Sequence, residues 1–360
     1  MRLPIGGKMD GKEKAKLALA DAGAFNFTMH KYGVGARILA RNVEELKGNC
    51  KVFPGIACVY KITISGAANF ASVMKYEQEI RAAIAGKRKE LGLFDKQMSI
   101  RFDAEPFLTL EVDAPPAILE YEELEGGALQ AAIGYGCNFD GKFVKIFDLN
   151  KEHQTLVAAL SGHGKSVLLK NIIMGLLANS DPSQLALYGI DFKNSDLLPY
   201  KKMPHTEGYA YKEDDAAVII ERFTIEVQRR ISNQKARKKM LLVIDEGAEL
   251  DESHDDALAS IMKMGRSLGI HVLMATQHPT AAQIGKKTAR SFTHRIVGRV
   301  DSQSSAFWAT GVADSGANLL RQHGAFLYVY GGQIERFQSF YLSSEKEAEL
   351  IEKIKGRKKK

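Results

Sequence analysis

The first group of candidate functional residues is Ser161–Ser166, which lies between the apolar runs QTLVAAL and VLLKNIIMGLL. Gly162 and Gly164 would let backbone N–H groups curl around a phosphate, and the following helix would present its positive N-terminal end to the same anion. Lys165 could reach the β- and γ-phosphates, and the Ser166 hydroxyl could ligate Mg²⁺. This strand–loop–helix order is the context that a phosphate-binding P-loop requires.

One position departs from the G-x-x-x-x-G-K-[ST] pattern, because its first glycine is replaced by Ala159. Alanine is small enough to follow a strand into the loop. We therefore predict an ATP site with Mg²⁺, formed by eight residues: Ala159, Ser161, Gly162, His163, Gly164, Lys165, Ser166 and Val167.

Polar residues at the ends of three later apolar runs are the second group of candidates. The run MLLVI ends in Asp245 and Glu246, and IHVLMAT ends in Gln277. Ligands of open α/β sheets bind at the carboxyl ends of strands, so Asp245 is placed to hold Mg²⁺ and Glu246 to polarise an attacking water. Gln277 could contact the γ-phosphate or the water, or could simply open a loop. Asp191 follows the run LALYGI in the same way, but the argument for its role at the site is weaker.

The elements that must position these residues alternate in type. Strands are predicted at 143–148, 154–160, 185–190, 240–245, 270–275, 294–300 and 325–330, and helices at 165–178, 212–232, 253–268 and 302–309. Such alternation predicts an α/β fold with a mostly parallel sheet. An earlier group, with helices at 12–23 and 70–91 and strands at 56–64, 97–102 and 106–112, predicts a small α+β domain. We place the domains at 1–125 and 126–345, followed by a basic tail at 346–360, and we expect the last eight residues to be disordered.

Composition sets outer limits on the function. The chain has 360 residues, 45% hydrophobic and 26% charged, which excludes a mainly disordered, collagen-like or coiled-coil protein. No apolar run approaches the roughly 18 residues of a membrane span, and the first residues lack a signal peptide, so a cytoplasmic location is expected. The net charge of +7 permits a polyanionic partner. Three cysteines without CxxC spacing indicate ordinary thiols.

The ordered motifs resemble the motor domain of the FtsK/SpoIIIE DNA translocases, in the FtsK–HerA superfamily of P-loop ATPases. The resemblance covers about 130–342. Its blocks are the P-loop, Asp191-Phe192-Lys193 with Pro204-His205, the run IDEGAEL, the run GIHVLMATQHP, His294-Arg295-Ile296-Val297 and Gly324-Ala325-Phe326-Leu327-Tyr328. It implies a RecA-like P-loop ATPase core preceded by a small α+β domain.

The resemblance also implies partners and further site residues. Members of this family form hexameric rings around duplex DNA and hydrolyse ATP between subunits, with an arginine supplied by a neighbour. Arg295 matches that finger, with Arg299 and Arg266 in reserve. Lys286, Lys287 and Arg290 lie where the family places a pore-facing loop, and would contact DNA phosphates. The family's membrane domain and winged-helix domain are not expected in this chain.

Several alternatives remain open at this point. The chain could be a genome-packaging or conjugative coupling ATPase that needs a docking partner on a portal or membrane complex. It could also be a slow nucleotide-gated DNA-binding module, or a hexameric single-strand helicase. The basic residues at 229–239 and 353–360 could contact DNA or could be solvated.

Overall fold

The computed structural model describes residues 9–41, 43–92, 98–104, 107–115, 117–124, 126–233 and 238–356. The chain divides into two compact units. One comprises Met1–Leu119, Tyr135–Phe143 and Leu320–Gln322, and the other comprises Glu120–Gly134, Val144–Leu319 and His323–Lys360. The domain limits predicted from the sequence stay a prediction.

The first unit is a small α+β structure. Its elements are α1 (Gly11–Lys31), β1 (Ala36–Arg37), α2 (Val43–Asn49), β2 (Cys50–Phe53), β3 (Ala57–Lys61), β4 (Thr63–Ile64), α3 (Phe70–Met74), α4 (Glu77–Glu90), β5 (Ile100–Asp103) and β6 (Thr109–Asp113). Strands β2, β3, β6 and β5 form an antiparallel sheet in that order, and β1 pairs with β4.

Local sequence explains where the helices of this unit begin and end. Asp10 and Glu13 form a reciprocal capping box at the start of α1, which runs eight residues beyond the predicted 12–23. The predicted 70–91 helix is interrupted at residues 75–76, between α3 and α4. Gln97 and Pro106, the first residues of the predicted strands 97–102 and 106–112, lie outside the described residues. The buried Arg88 of α4 pairs with the buried Asp21 of α1 at 2.6 Å, joining the two main helices.

The second unit contains the large sheet, apart from residues 135–137 and 142–143 of two strands, which belong to the first unit. Its strands are β7 (Gln130–Cys137), β8 (Lys142–Asp148), β9 (Gln154–Ala158), β10 (Leu185–Asp191), β11 (Thr206–Ala210), β12 (Lys239–Asp245), β13 (Ile270–Thr276), β14 (His294–Val297), β15 (Ala325–Tyr330) and β16 (Gln333–Ser339). The order is β11-β10-β12-β13-β9-β14-β15-β16-β7-β8. The pairs from β11 to β14 are parallel, whereas β14–β15 and β15–β16 are antiparallel.

The helices of this unit are α5 (Lys165–Ala178), α6 (Glu213–Ser232), α7 (Asp255–Leu268), α8 (Ala281–Ile284), α9 (Lys286–Ser291), α10 (Gln303–Thr310) and α11 (Ser344–Lys355), with 3₁₀ turns at Leu198–Tyr200, Gly247–Glu249, Glu252–His254 and Ala317–Leu319. The mixed α/β class with a mostly parallel sheet is confirmed. Strands β7, β11 and β16 had not been predicted. None of the described helices combines the length and apolar character needed to cross a membrane.

The C-terminal segment corrects one prediction. Residues 344–355 form α11, so the expectation that the last eight residues are disordered is wrong for residues 353–355. The Ser343 hydroxyl caps its first turn, and Leu350, Ile351 and Ile354 are buried in the core. These apolar residues recur at helical spacing and face the core, where the carboxylate of Glu347 is also buried. Residues 357–360 lie outside the described chain.

The register of the parallel strands brings the candidate residues to one edge. Asp191 pairs with Asp245, and Thr276 and Val297 both pair with Ala158. The carboxyl ends of β10, β12, β13, β9 and β14 therefore meet at the same edge, which is where an open α/β sheet binds its ligand.

Buried histidines give this unit an acid sensitivity. Burial, with added positive charge from Lys239 and His153, lowers the pKa of His271 on β13 to about 3. The unfolded chain would protonate this histidine near a pKa of about 6.5. Between these two pKa values the unfolded state binds more protons, so stability is retained above about pH 6.5 and lost as the pH falls below it.

The free energy of unfolding of wild type should fall when the pH is lowered from about 7.5 to 5.5. In His271→Leu this fall should be smaller by about 1.4 kcal/mol, because the titration of His271 is removed. Urea unfolding at the two pH values measures the difference. His278→Asn is the matched control, because His278 is exposed. An unchanged pH dependence in His271→Leu would show that His271 does not carry the effect.

Candidate functional site

The P-loop connects β9 to α5 and depends on two glycines with positive φ. Gly162 has φ +77° and Gly164 has φ +96°, a region that favours glycine. A Cβ atom on Gly164 would also lie 3.2 Å from the Gly324 Cα atom. The loop is anchored on its other side by the Leu160 N–H, which donates to the Arg299 carbonyl at 2.8 Å. The backbone thus adopts the turn that the sequence pattern predicts.

Ala159 fits at the first position of the pattern for a structural reason. Its methyl group is fully buried, and a Cβ atom on the neighbouring Gly298 would lie only 2.9 Å from it. Gly298 therefore leaves the space that the extra methyl group of Ala159 needs. The departure from glycine is compensated within the fold.

A second histidine lies beside the P-loop, and no sequence pattern had predicted it. The His323 ring stacks on His163, with centroids 5.0 Å apart, and its Nδ1 lies 2.7 Å from the Gly162 carbonyl oxygen. Because a carbonyl only accepts, His323 Nδ1 must carry the proton. Burial, then the positive charge of His323 and Arg299, lowers the pKa of His163. The P-loop is thus braced by a residue far along the chain.

Lys165 is buried between the two carboxylates at the end of β12. Its Nζ lies 2.5 Å from Asp245 Oδ1 and 3.2 Å from Glu246 Oε2. Burial opposes its charge, but Asp245 and then Glu246 outweigh burial and raise the pKa of Lys165. The three predicted residues therefore form one charged cluster. Unpaired, a charge buried to this degree would be costly, so these groups stabilise one another.

Glu246 is held from three sides. The Gln277 N–H donates to its Oε1 at 2.8 Å, and the Gln277 side-chain amide donates to its Oε2 at 3.2 Å. Lys193 Nζ lies 3.2 Å from the same Oε2. Burial alone would raise the pKa of Glu246, but Lys165, the Gln277 N–H and Lys193 together lower it. Glu246 also has φ +55°, a strained value for a residue with a side chain.

Ser166 and Asp245 lie where a Mg²⁺ site is expected, and the donor set fits the ion. Hard cations take oxygen ligands, and Mg²⁺ is commonly held by one or two carboxylates together with substrate phosphates. The Ser166 hydroxyl donates to the carboxylate of Asp196, a residue that the sequence interpretation had not selected. In the described part of the chain, no group of three or more His, Cys, Asp or Glu side chains could hold a metal ion.

Comparison with known proteins agrees with this geometry. Residues 118–238 match the family model described as FtsK/SpoIIIE family. This part of the chain is therefore similar to the domains of that family. The chain is 25% identical over 362 residues to a protein of Staphylococcus epidermidis named DNA translocase FtsK, covering 90% of this chain and 43% of that protein. It is 26% identical over 239 residues to DNA translocase SftA of Bacillus subtilis, covering 59% of this chain and 25% of that protein.

Solved structures show the same fold at lower identity. The pCW3 conjugation coupling protein TcpA, in a monomer form with ATPγS, superposes with a TM-score of 0.58 and 18% identity, covering 92% of this chain and 99% of that chain. The type VII secretion ATPase EccC of Thermomonospora curvata gives a TM-score of 0.54 with 19% identity, over 66% of this chain and 32% of that one. The chain spans less than half the length of the FtsK relative from Staphylococcus epidermidis.

Within the region that matches the family model, Asp191 has a structural role. Its buried Oδ2 accepts from the N–H groups of Ser195 at 2.8 Å and Leu197 at 3.0 Å. Asp191 therefore fixes the loop that follows β10. The residues of that loop that reach the site are Lys193 and Asp196.

The candidate arginines lie beyond the region that matches the family model and differ in their surroundings. The guanidinium of Arg295 donates to the carbonyls of Ala309, Trp308 and Ala289, at 3.0, 3.3 and 2.8 Å. These contacts brace α9 and α10 within one chain. The trans role of Arg295 stays a prediction, as does the reserve role of Arg266. The reserve Arg299 lies beside the P-loop of its own chain.

The basic candidates for DNA contact lie on α9, in the segment 278–293 that follows Gln277. Asp255 anchors the start of α9 by accepting from the N–H groups of Thr288 at 2.8 Å and Lys287 at 3.1 Å. Lys287 Nζ also pairs with Asp256 at 2.5 Å. Lys286, Lys287 and Arg290 are all exposed. The structure therefore distinguishes an ion-paired Lys287 from the other two.

The other basic cluster is committed to contacts within the chain. Arg229 and Arg230 both pair with Glu226 at 2.6 Å, and Lys238 pairs with Glu207 at 2.7 Å. Lys235 and Arg237 lie outside the described residues. Arg229 is exposed whereas Arg230 is buried, so only part of this cluster is a solvated helix end.

Proposed function

We propose that this chain is an ATP-driven translocase of double-stranded DNA, acting as a homo-oligomeric, hexameric ring. The observation that carries the proposal is the position of Glu246, which contacts Lys165 of the P-loop on one side and Gln277 on the other. Gln277 immediately precedes the segment 278–293 with its exposed basic helix. The match to the FtsK/SpoIIIE family model and the DNA translocases to which the chain is similar support the same function.

The first step of the mechanism is an exchange of partners at Lys165. Its ammonium faces Asp245 and Glu246 in the structure, and the phosphates of ATP would compete with these carboxylates for it. Ser166 and Asp245 would hold Mg²⁺, which supplies shielding of the phosphate charge when bound. The N–H groups of the P-loop and the start of α5 would receive the remaining phosphate oxygens.

The second step concerns Glu246. Once Lys165 turns to phosphate, Glu246 loses the positive charge that contributes most to lowering its pKa, and its carboxylate becomes more basic. Lys193 and Gln277 still orient it. Glu246 would then accept a hydrogen bond from the attacking water and direct it toward the γ-phosphate. Because Gln277 shares this carboxylate, the nucleotide state would be communicated to the segment 278–293.

DNA contact would be made to phosphates, because a translocase must move over any sequence. Lys286 and Arg290 are the residues of α9 best placed for this contact. A cytoplasmic location fits this function and stays part of the proposal.

The test of this function is steady-state ATP hydrolysis without DNA, with single-stranded DNA and with linear duplex. We expect duplex to stimulate wild type strongly, and Lys165→Ala to abolish hydrolysis. Glu246→Gln should bind ATP but lose turnover by a factor of about 10² or more, since the water is no longer oriented. Lys151→Ala is the control, because its ammonium is exposed and lies 3.7 Å from its partner Asp148.

Hydrolysis indifferent to DNA, together with no assembly in the presence of nucleotide and duplex by analytical ultracentrifugation, would rule out the translocase. Stimulation by single strands alone would favour a helicase. A conjugative coupling ATPase that docks on a membrane complex is the second candidate, because TcpA shares the fold over nearly the whole of both chains. Recovery of a membrane-complex partner with the protein from its native host would favour it.

The basic residues of α9 allow a separate prediction. Lys286→Ala and Arg290→Ala should each lower the slope of log affinity against log salt by about 1 for each DNA phosphate that the variant no longer neutralises. Lys287→Ala should change the slope less, because Asp256 already occupies the Lys287 ammonium. Fluorescence anisotropy with a labelled duplex at several salt concentrations measures the slopes. Equal changes of slope in the three variants would contradict the distinction, and Asp256→Ala should strengthen binding by releasing Lys287.

A further inference from the structure

The loop from Asp191 to Leu197, here called the Asp191 loop, is held by contacts within the chain. Asp191 Oδ2 accepts from two of its N–H groups, and Leu197 is buried in the core. Asn194 has φ +50°, and its side-chain oxygen accepts from the Tyr209 hydroxyl at 2.8 Å. The loop therefore presents its outward side chains in defined positions.

Two of these side chains contact different residues of the nucleotide site. Lys193 Nζ contacts Glu246, on the side where water would be oriented. Asp196 accepts the hydroxyl of Ser166, on the side where the metal would lie. The spacing of three residues between Lys193 and Asp196 lets one short loop serve both.

The direction of the Ser166 hydrogen bond has a chemical consequence. A hydroxyl has one proton to donate and two lone pairs to offer. With its proton directed at Asp196, the oxygen of Ser166 keeps its lone pairs for a cation. The Ser166 proton goes to Asp196 and not to Asp245, whose Oδ1 accepts from Lys165.

The charge around Asp196 agrees with a role beside a cation. Within the described ranges, no lysine, arginine or histidine forms an ion pair with Asp196. Burial is the main reason that the pKa of Asp245 is raised, and the negative charge of Asp196 adds to it. The two carboxylates therefore repel one another, and a divalent cation bound beside them would relieve this repulsion.

We propose that Asp196 is a second carboxylate of the Mg²⁺ site, which orients Ser166 and holds the metal through a water. This inference rests on the proposed ATPase function. Mg²⁺ keeps several waters in proteins, so a carboxylate that acts through water is usual for it. Residues that orient metal ligands commonly contribute a factor of about 10–100 in metal affinity.

The test is the affinity of a fluorescent, non-hydrolysable ATP analogue, measured with Mg²⁺ and with EDTA. The ratio of the two dissociation constants reports how strongly the metal supports nucleotide binding. For Asp196→Asn we expect that ratio to fall about 10-fold, while the affinity in EDTA is unchanged or improved, because a negative charge near the phosphates is removed. Asp214→Asn is the control, since Asp214 is an exposed carboxylate on α6.

A purely structural role would weaken binding equally with and without Mg²⁺, and that result would overturn the inference. An unchanged ratio would overturn it as well. Thermal unfolding verifies that the variants are folded. If Asp196→Asn does not fold, the same ratio is measured for Asp196→Ser. If wild type binds the analogue tightly with Mg²⁺, a negative result contradicts only the role of Asp196. If wild type does not bind the analogue, the proposed function is contradicted as well.

Discussion

The buried contact of Lys165 with Asp245 and Glu246 is the interaction on which the rest of the site depends. An ammonium enclosed at the carboxyl edge of a parallel sheet requires an anion, and in this structure the chain supplies two. Any phosphate that enters must replace them. The strand register, the two positive-φ glycines of the P-loop and the small Gly298 behind Ala159 all serve to place this lysine where carboxylate and phosphate compete. In the proposed mechanism, nucleotide binding would thus be coupled to the separation of Lys165 from Glu246.

The same contact explains how a local exchange could move a distant surface. Glu246 is shared by Lys165, Lys193 and Gln277, which come from three different elements of the sheet edge. When one partner leaves, the remaining two define where the carboxylate lies. Gln277 continues directly into the segment 278–293, whose α9 is anchored to α7 by Asp255. The physical path from phosphate to the basic helix therefore crosses a single carboxylate.

Local patterns were enough to predict part of this site. The P-loop, Asp245, Glu246 and Gln277 each follow an apolar run, and parallel strands bring such positions to one edge. Asp196 and His323 could not be found in this way, because they reach the site through a loop closure and through a contact between distant parts of the chain. Helix α11 was mistaken for a tail because its many charges obscured Leu350, Ile351 and Ile354, which become visible only when counted at helical spacing. The contacts of Arg295 with Ala289, Trp308 and Ala309 also could not be predicted from local sequence, because they depend on tertiary structure.

The most direct measurement is a high-resolution structure of the protein with Mg²⁺ and a non-hydrolysable ATP analogue. We predict that Lys165 Nζ leaves Asp245 and Glu246 for the phosphate oxygens, while Gln277 keeps its contact with Glu246. A structure in which the analogue is bound in the P-loop and Lys165 still pairs with Asp245 would contradict this prediction, because the exchange of partners that links ATP to Glu246 would not occur.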